Sequence, residues 1–371
     1  MKKTLLWVVG IVVVILIVVS VAGKKQTEGG PIKIGFIGPL TGSLASIGES
    51  SLGGALLAVK EINDSGGILG RQLSLIVEDD KCSSKGLDAV TKLISANNVV
   101  AISGPDCSSS AKALIPFTVS KNVPIVLRWA SAPSLTGMGP NIVRVYPSDA
   151  IQGKFVAEFI FNILGKKNVA ILNVKNDWSQ GITDVFMSTF ESLGGNIVYS
   201  ESVTEDSRDM RTQLQAIKKT NSEVLFAPLH EATGVVGLKQ AKDMGISIPI
   251  VGGDVFDSNE VIMSSGAEGT MYSVALINNP EEFQNKVKNV IGKDGSKVTA
   301  PLGYDSIMVI ADAIERAKSI ESSAIISALN STSISGVGTP ILDFESNGDL
   351  KQAQFEVKVI KDGKSVKFHK I

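Results

Sequence analysis

The chain has 371 residues, which is too long for one ordinary hydrophobic core and suits two α/β domains. Its 36 Lys and Arg nearly balance 37 Asp and Glu, and the net charge of −1 gives no electrostatic basis for binding nucleic acid. Histidine is scarce, with only His230 and His369, which leaves few groups for acid–base catalysis or metal binding.

The chain begins with a long apolar segment. Lysines flank an uncharged run at 5–23 on both sides. This run fits a secretory signal cleaved after the small residues at 20–22, and it fits an uncleaved anchor equally well, since ~20 apolar residues span a bilayer. No Cys follows the run, so a lipid-modified Cys is excluded there. Both alternatives place the polar body outside the cytoplasm, with 1–30 as signal or anchor segment and linker.

The body of the chain starts with alternating strands and helices. Short β-branched runs alternate with segments whose apolar residues recur at helical spacing. Strands are predicted at 32–37, 73–77, 99–102 and 124–127, and helices at 49–64, 84–96 and 109–120. Short, almost continuously apolar strands in this order predict a parallel sheet that helices cover on both faces.

The same alternation restarts near Asp149. Helices are predicted at 151–164, 181–193, 210–217, 234–244, 281–291 and 304–317, and strands at 169–172, 197–199, 224–227 and 249–251. The last segments, 355–360 and 365–369, alternate apolar and polar residues. This pattern predicts two antiparallel edge strands joined at Asp362-Gly363.

Two α/β units of similar size place a cleft between them. In open α/β sheets, ligands bind beyond the carboxyl ends of the strands. This rule selects six loops, at 39–48, 104–110, 128–133, 173–180, 228–231 and 252–255. The sequence therefore predicts a cleft whose walls come from both units.

Cys82 and Cys107 are the only cysteines of the chain. Two Cys in an exported protein usually pair, so a disulfide is predicted. The alternative is a pair of free buried thiols. The loop that the bridge would close is modest, and loop entropy assigns it about 3 kcal/mol of stabilisation.

Motifs of common enzymes are missing. The sequence has no G-x-S-x-G elbow, no G-x-G-x-x-G after the first strand, no G-x-x-x-x-G-K-[ST], and no C-x-x-C or H-E-x-x-H. The absence of motifs does not exclude a hydrolase that uses a pair of carboxylates, since Asp79-Asp80 and Asp254 are present. Asp79-Asp80, however, is expected to be a solvated strand end. A cytoplasmic repressor with a related two-lobed fold would carry a helix-turn-helix at its N-terminus. The apolar run occupies that place here, which disfavours a repressor. We expect a binding protein, with no enzymatic activity, metal or cofactor.

The chain resembles the branched-chain amino-acid binding proteins of ABC importers, which are type I periplasmic binding proteins. The resemblance covers nearly everything after Ile32. Its motifs, in chain order, are IKIGFIGPLTGSLASIGESSLGGALLAVKEINDSGGILGRQLSLIVEDDKC, ISGPDCSSSAKA, ASAPSLT, DAIQGK, NDWSQG and GVVGLKQAKDMG. The combination of GGILGRQL, the following DD and C, and GPDCSSS is the most specific part.

The resemblance implies an α/β fold of two Rossmann-like, doubly wound lobes joined by a three-strand hinge. The hinge crossings are expected near Ser148, near Ser273 and at 338–343. The first lobe is then formed by 31–148 plus 275–340, and the second by 149–274 plus 341–371. The family's bridged cysteines also support the Cys82–Cys107 disulfide.

The resemblance also implies an amino-acid site. Ser108 is expected to bind the ligand carboxylate at a helix N-terminus, where free N–H groups and the helix dipole favour an anion; a plain N-cap role is compatible with this. Ser131 is expected to contact both carboxylate and ammonium, and Trp129 to supply a backbone contact. Asp254 is expected to hold the ammonium. Trp178 is expected to cover the ligand backbone.

Departures from the family affect the side-chain pocket. Ile47 and His230 stand where some relatives have Tyr, and both are expected to line the pocket. Arg128 and Trp129 replace smaller residues. Arg128 is expected either to add a carboxylate contact or, as we favour, to lie at the rim, while Trp129 either shrinks the pocket or points away. The ligand is thus expected to be an α-amino acid, branched-chain or otherwise hydrophobic.

The division of the site between lobes implies a closing mechanism. Ser108 and Ser131 would hold the carboxylate on the first lobe, and Asp254 and Trp178 would reach the ligand only when the cleft shuts. The expected partners are an ABC permease and, through it, ATPase subunits, and the expected state is a monomer. The alternative function is a sensory or receptor-type module that binds a small acid or amide.

Overall fold

The computed structural model describes residues 29–42 and 44–369. The predicted signal or anchor at 5–23 lies outside these residues. Within the described ranges, none of the helices combines the length and the hydrophobicity needed to cross a bilayer.

The first sheet has five parallel strands in the order β2-β1-β3-β4-β5. The strands are β1 Ile32–Gly38, β2 Leu73–Asp79, β3 Ala101–Ser103, β4 Ile125–Leu127 and β5 Ile142–Arg144, and the intervening helices are α1 Ala45–Asp64, α2 Gly86–Ser95 and α3 Ser108–Ser120. Side chains on both faces of β1 are buried, as a doubly covered sheet requires. The predicted parallel sheet is confirmed, with β5 as a strand that the apolar pattern missed.

The second half of the chain builds another parallel sheet. Its strands are β6 Asn168–Val174, β7 Asn196–Val203, β8 Val224–Ala227, β9 Ile250–Gly252 and β10 Met271–Ala275, and its helices are α4 Asp149–Glu158, α5 Asp177–Ser192, α6 Arg211–Lys218, α7 Glu231–Asp243 and α8 Asn259–Ile262. A π-helical turn, Phe159–Ile163, extends α4 to the predicted helix end. We call the unit on the first sheet lobe 1 and the unit on this sheet lobe 2.

The last part of the chain contributes to both lobes. Its helices are α9 Glu281–Ile291, α10 Thr299–Ala317 and α11 Ser322–Leu329, and its strands are β11 Ser333–Ile334, β12 Leu342–Asp343, β13 Phe355–Lys361 and β14 Lys364–Lys367. β13 and β14 join the second sheet as antiparallel strands, in the order β14-β13-β10-β9-β8-β6-β7. Of the two predicted edge strands, β14 is therefore an edge strand, whereas β13 lies inside the sheet.

Helix α10 packs against α1 of lobe 1 at very short range. A Cβ atom at Gly54 would lie 1.8 Å from the Ala300 carbonyl oxygen, and one at Gly303 would lie 2.0 Å from that of Ser51. Only glycine permits such backbone contact. The two glycines thus allow a helix made late in the chain to cover the sheet made first.

The chain crosses between the lobes more than once. Leu342, Phe344 and Leu350 pack in the same core as β1 and α10, and pairing with the second sheet resumes at Phe355. The predicted lobe bounds stay a prediction, and this packing favours moving the last boundary from 340 to 351–354. The segment 337–339, which precedes this boundary, is held to lobe 1 by Asp305, whose carboxylate accepts hydrogen bonds from the N–H groups of residues 337, 338 and 339.

Candidate functional site

The carboxyl ends of the strands in both lobes meet at one cleft. The register of lobe 1 aligns Gly38 with Asp79 and Phe36 with Ser103, so the loops after β1, β2 and β3 begin at the same sheet edge. Lobe 2 contacts lobe 1 near this edge, through the start of α5 and helix α3. Lys112 Nζ lies 2.6 Å from Asp177 Oδ1 across the cleft. The structure therefore holds the lobes in mutual contact.

Ser108 is the first residue of α3, and it is buried. Its Oγ accepts a hydrogen bond from the Ala132 N–H at 3.1 Å. The first N–H groups of a helix have no partner within the helix, so residues 108–110 present donors and the positive end of the helix dipole. This end of α3 is suited to bind a carboxylate.

Asp254 opens the turn after β9, and it is a buried acid that receives hydrogen-bond donors from the opposite lobe. Trp129 Nε1 and Tyr146 OH each donate to its Oδ2 at 2.8 Å. Burial raises the pKa of Asp254, and the two donors oppose that rise. Its Oδ1 is buried and has no partner within the described ranges.

Asp149 is a second buried carboxylate at the cleft. Its Oδ2 accepts a hydrogen bond from Ser131 Oγ at 2.8 Å, and its N–H donates to the Ser131 carbonyl at 2.9 Å. Burial, and next the charge of Asp254, raises the pKa of Asp149 well above its usual range. Its Oδ1 also lacks a partner in the described part of the chain. Two buried acids with an open oxygen each favour a ligand that brings a cation with N–H donors.

The wall of the cleft on lobe 2 is aromatic with a polar edge. The Trp178 and His230 rings stack at 5.2 Å, and Asn176 Nδ2 lies 3.1 Å from His230 Nε2. Asn176 also donates to Glu205 Oε1 at 2.6 Å. Burial lowers the pKa of His230 more than Glu205 raises it, so the ring is neutral at pH 7. With Asn176 as donor, Nε2 is the acceptor, and the ring proton lies on Nδ1 toward Glu205.

These walls enclose a cavity. It is lined by Leu44, Ile47, Cys82, Asp106, Cys107, Ser108, Ser109, Trp129, Asn176, Trp178, Glu205, His230 and Val255. Five of the seven predicted ligand residues are in this lining. The other two are buried next to it: Asp254 is hydrogen-bonded to Trp129, and Ser131 is hydrogen-bonded to Asp149. Their roles toward a ligand stay a prediction.

The Cys82–Cys107 disulfide is confirmed, with the two Cα atoms 5.3 Å apart. It forms part of the cavity lining and ties the loop after β2 to the start of α3. The prediction that Asp79-Asp80 is a solvated strand end is wrong for Asp80. That side chain is buried, accepts from the Cys82 N–H at 2.9 Å and from Ser110 Oγ at 2.8 Å, and so supports the same loop.

The prediction that Arg128 lies at the rim is also wrong. Its side chain is 0% exposed and forms an ion pair with Asp106 at 2.7 Å. The guanidinium also donates to Ser103 Oγ at 2.9 Å and to the Ile37 carbonyl, and it lies 4.1 Å from the Phe36 ring centroid. The physical reason is charge: a buried Asp106 needs a counterion, and Arg128 supplies it.

Four residues of the cleft were missed by sequence reasoning, namely Tyr146, Asp149, Asn176 and Glu205. Asp149 and Asn176 carry a recognisable signal, since each immediately precedes or begins a helix that follows a strand. Tyr146 and Glu205 lie in irregular segments and carry none.

Comparison with known proteins gives a consistent result. A family model described as periplasmic binding protein matches residues 31–364. A leucine-, isoleucine-, valine-, threonine- and alanine-binding protein of Pseudomonas aeruginosa is 28% identical over 338 residues, covering 88% of this chain and 89% of that protein.

Solved structures agree. A leucine binding protein of Thermotoga maritima superposes with a TM-score of 0.81 at 26% identity, covering 91% of this chain and 98% of that one. A branched-chain amino acid transporter substrate binding protein of Streptococcus pneumoniae, bound to isoleucine, gives 0.80 at 26% identity, covering 90% and 97%. The family match spans most of the chain, and the two-lobed fold agrees with it. This chain belongs to the periplasmic binding protein family.

Proposed function

We propose that this protein is the substrate-binding subunit of an ABC importer and that it captures an α-amino acid with an apolar side chain. The observation that carries the proposal is the arrangement of charge in the cleft. The start of α3 at Ser108 offers N–H donors, while Asp149 and Asp254 each keep one buried oxygen open. These two ends complement the carboxylate and the ammonium of a zwitterion.

The number of acceptors matches a primary ammonium. Such a group has three N–H donors, and in this proposal Asp149 Oδ1, Asp254 Oδ1 and the Ser131 hydroxyl oxygen accept them. Leu44, Ile47, Val255 and the disulfide form the apolar part of the cavity lining. The relatives named above bind leucine, isoleucine and other amino acids, which supports this ligand class for the chain.

The proposal includes a closing step. Ser108 and Ser131 belong to lobe 1, whereas Asp254 and Trp178 follow strands of lobe 2. A ligand that contacts both lobes stabilises the closed form and shifts the hinge equilibrium toward it. The closed form is then recognised by the permease, and ATP hydrolysis takes place on the transporter's ATPase subunits, so we expect no enzymatic activity in this chain.

Family membership places the protein outside the cytoplasm. We infer that the segment 1–30 exports it or anchors it there, and that it works as a monomer. A basic flank and an apolar run of this length are compatible both with a cleaved export signal and with an uncleaved membrane anchor.

The test is thermal unfolding of the body from residue 31 in the presence of each of the twenty amino acids. A ligand that binds only the folded state raises the melting temperature. We expect a rise with aliphatic amino acids, and calorimetry should show at least about tenfold weaker binding for Asp254→Asn. No rise with any amino acid would reject the ligand class, while equal affinity in Asp254→Asn would reject this carboxylate as its partner.

A further inference from the structure

Trp129 crosses the cleft from lobe 1 to lobe 2. It follows β4, and its Nε1 donates to Asp254 Oδ2 at 2.8 Å. Its ring meets Tyr146 edge-on, with centroids 6.5 Å apart and planes at 88°. Tyr146 donates to the same oxygen at 2.8 Å. The indole is thus held in place by a hydrogen bond at one end and a ring contact along its edge.

The indole also limits the space beside the site. Trp129, Trp178 and His230 line the same cavity, where the volume left for water-sized molecules is about 40 Å³. The cavity must therefore widen for any amino acid, and a longer side chain requires a larger displacement of the rings that line it.

Displacing Trp129 has a specific cost. The indole N–H leaves Asp254 Oδ2, and a buried carboxylate that loses a donor is left partly unsatisfied. The same displacement moves the ring off Tyr146. A large side chain is thus opposed both by lost space and by a lost hydrogen bond, which is how a binding site discriminates against a competing ligand.

We propose that Trp129 sets the upper size limit of the ligand side chain, so that alanine and valine bind better than leucine, isoleucine and phenylalanine. This inference rests on the proposed amino-acid function and refines it. Trp129 acts as a specificity-determining residue through its bulk and, through Asp254, as a donor that closes the lobes.

Two variants separate bulk from hydrogen bonding. Calorimetry with alanine, valine, leucine and phenylalanine should show that the wild type prefers alanine or valine to leucine by at least about tenfold. Trp129→Ala frees the space and should shift that ratio toward leucine by at least about tenfold. Trp129→Phe keeps a ring but loses the donor, so it should weaken all four ligands while it keeps the preference for small side chains.

Tyr304→Phe is the matched control, because the Tyr304 hydroxyl donates to a carboxylate oxygen of Glu61 at 2.7 Å away from the cleft. It should leave the ratio unchanged. A wild type that prefers leucine, or an unchanged ratio in Trp129→Ala, would overturn the inference while leaving the amino-acid function intact. Absence of binding by every amino acid would overturn both. If Trp129→Ala does not fold, the wild-type profile and Trp129→Phe still decide the question.

Discussion

Arg128 Nε and Nη2 donate to the two carboxylate oxygens of Asp106, at 2.9 and 2.7 Å, and both side chains are fully shielded from solvent. Asp106 also accepts from Ser51 Oγ at 2.9 Å. The pair therefore joins α1, the end of β4 and the loop that leads to Ser108. The carboxylate site that we propose at the start of α3 therefore follows a loop whose own carboxylate, Asp106, is already paired with a cation.

Breaking this pair should strongly destabilise the protein. Arg128→Met leaves Asp106 charged and buried, and the expected loss is about 3–5 kcal/mol in the free energy of unfolding, measured by urea denaturation. Lys60→Met is the control, because Lys60 and Asp64 form an exposed pair at the surface of α1 and such pairs contribute less than about 1 kcal/mol. Equal losses in the two variants would show that Arg128 is not required as a counterion.

Asp149→Asn should weaken amino-acid binding by at least about tenfold, because the ammonium loses one of two charged acceptors. Burial raises the pKa of both Asp149 and Asp254. The ammonium favours their ionised forms, so affinity should rise with pH until both are ionised and fall as they are protonated. Titration calorimetry between pH 5 and 8 checks this, with Asp312→Asn on α10 as control. An unchanged pH profile in Asp149→Asn would contradict it.

The stability of the loop behind the disulfide should depend on pH through Asp80. Burial raises the pKa of Asp80 to about 6 in the folded protein, from an ordinary value of 3.8. The folded state therefore binds the Asp80 proton more tightly than the unfolded state does. The stabilisation from this protonation is complete when the pH is below the ordinary pKa of 3.8, and it is lost as the pH rises through about 6.

Asp80→Asn should remove this dependence. The amide oxygen can still accept from Cys82, and the amide N–H can donate to Ser110. Relative to the wild type, the variant should gain stability as pH rises across that window, and the gain should disappear in more acid solution. Melting temperatures of both proteins at matched pH give the comparison. A constant difference at all pH values would exclude Asp80 as the titrating group.

Removing the disulfide should cost about 3 kcal/mol by the loop-entropy estimate, since the cysteines are 25 residues apart. The double variant Cys82→Ser/Cys107→Ser avoids a free thiol. Because both cysteines line the cavity, ligand affinity should fall together with the unfolding free energy. Wild-type protein under reducing conditions provides an independent check. If the unfolding free energy fell by the expected amount while the ligand affinity stayed the same, the disulfide would not be needed for the shape of the binding site.

The alternation of strands and helices was predictable from the chain alone, because strands covered on both faces must be almost continuously apolar. β5 was missed because it ends at the charged Arg144, so its residues do not form the continuous apolar run by which the other short strands were predicted. β13 was assigned to an edge because its alternation is typical of half-exposed strands, while its pairing with β10 depends on a contact 80 or so residues away.

The site was less predictable, and Arg128 shows why. Its sequence neighbours give no sign that it is buried, since Asp106 comes from the loop after β3 and Ile37 from strand β1. Asp149 was missed for a related reason: its open oxygen and its neighbour Asp254 become apparent only when the cleft is assembled. Pattern identifies helix ends and apolar faces, whereas charge pairing at a cleft depends on tertiary structure.

The late return of the chain to both lobes has a consequence for biosynthesis. Lobe 1 is covered by α10, and the second sheet takes β13 into its interior. During translation, neither lobe can complete its core until the last part of the polypeptide has emerged. Nascent chains stopped before Thr299 should therefore expose apolar surface on both lobes, whereas chains stopped before Phe355 should expose it on lobe 2, and both should bind chaperones. Under the closing motion that we propose, the two lobes move as separate bodies, although both need the last part of the chain to complete their cores.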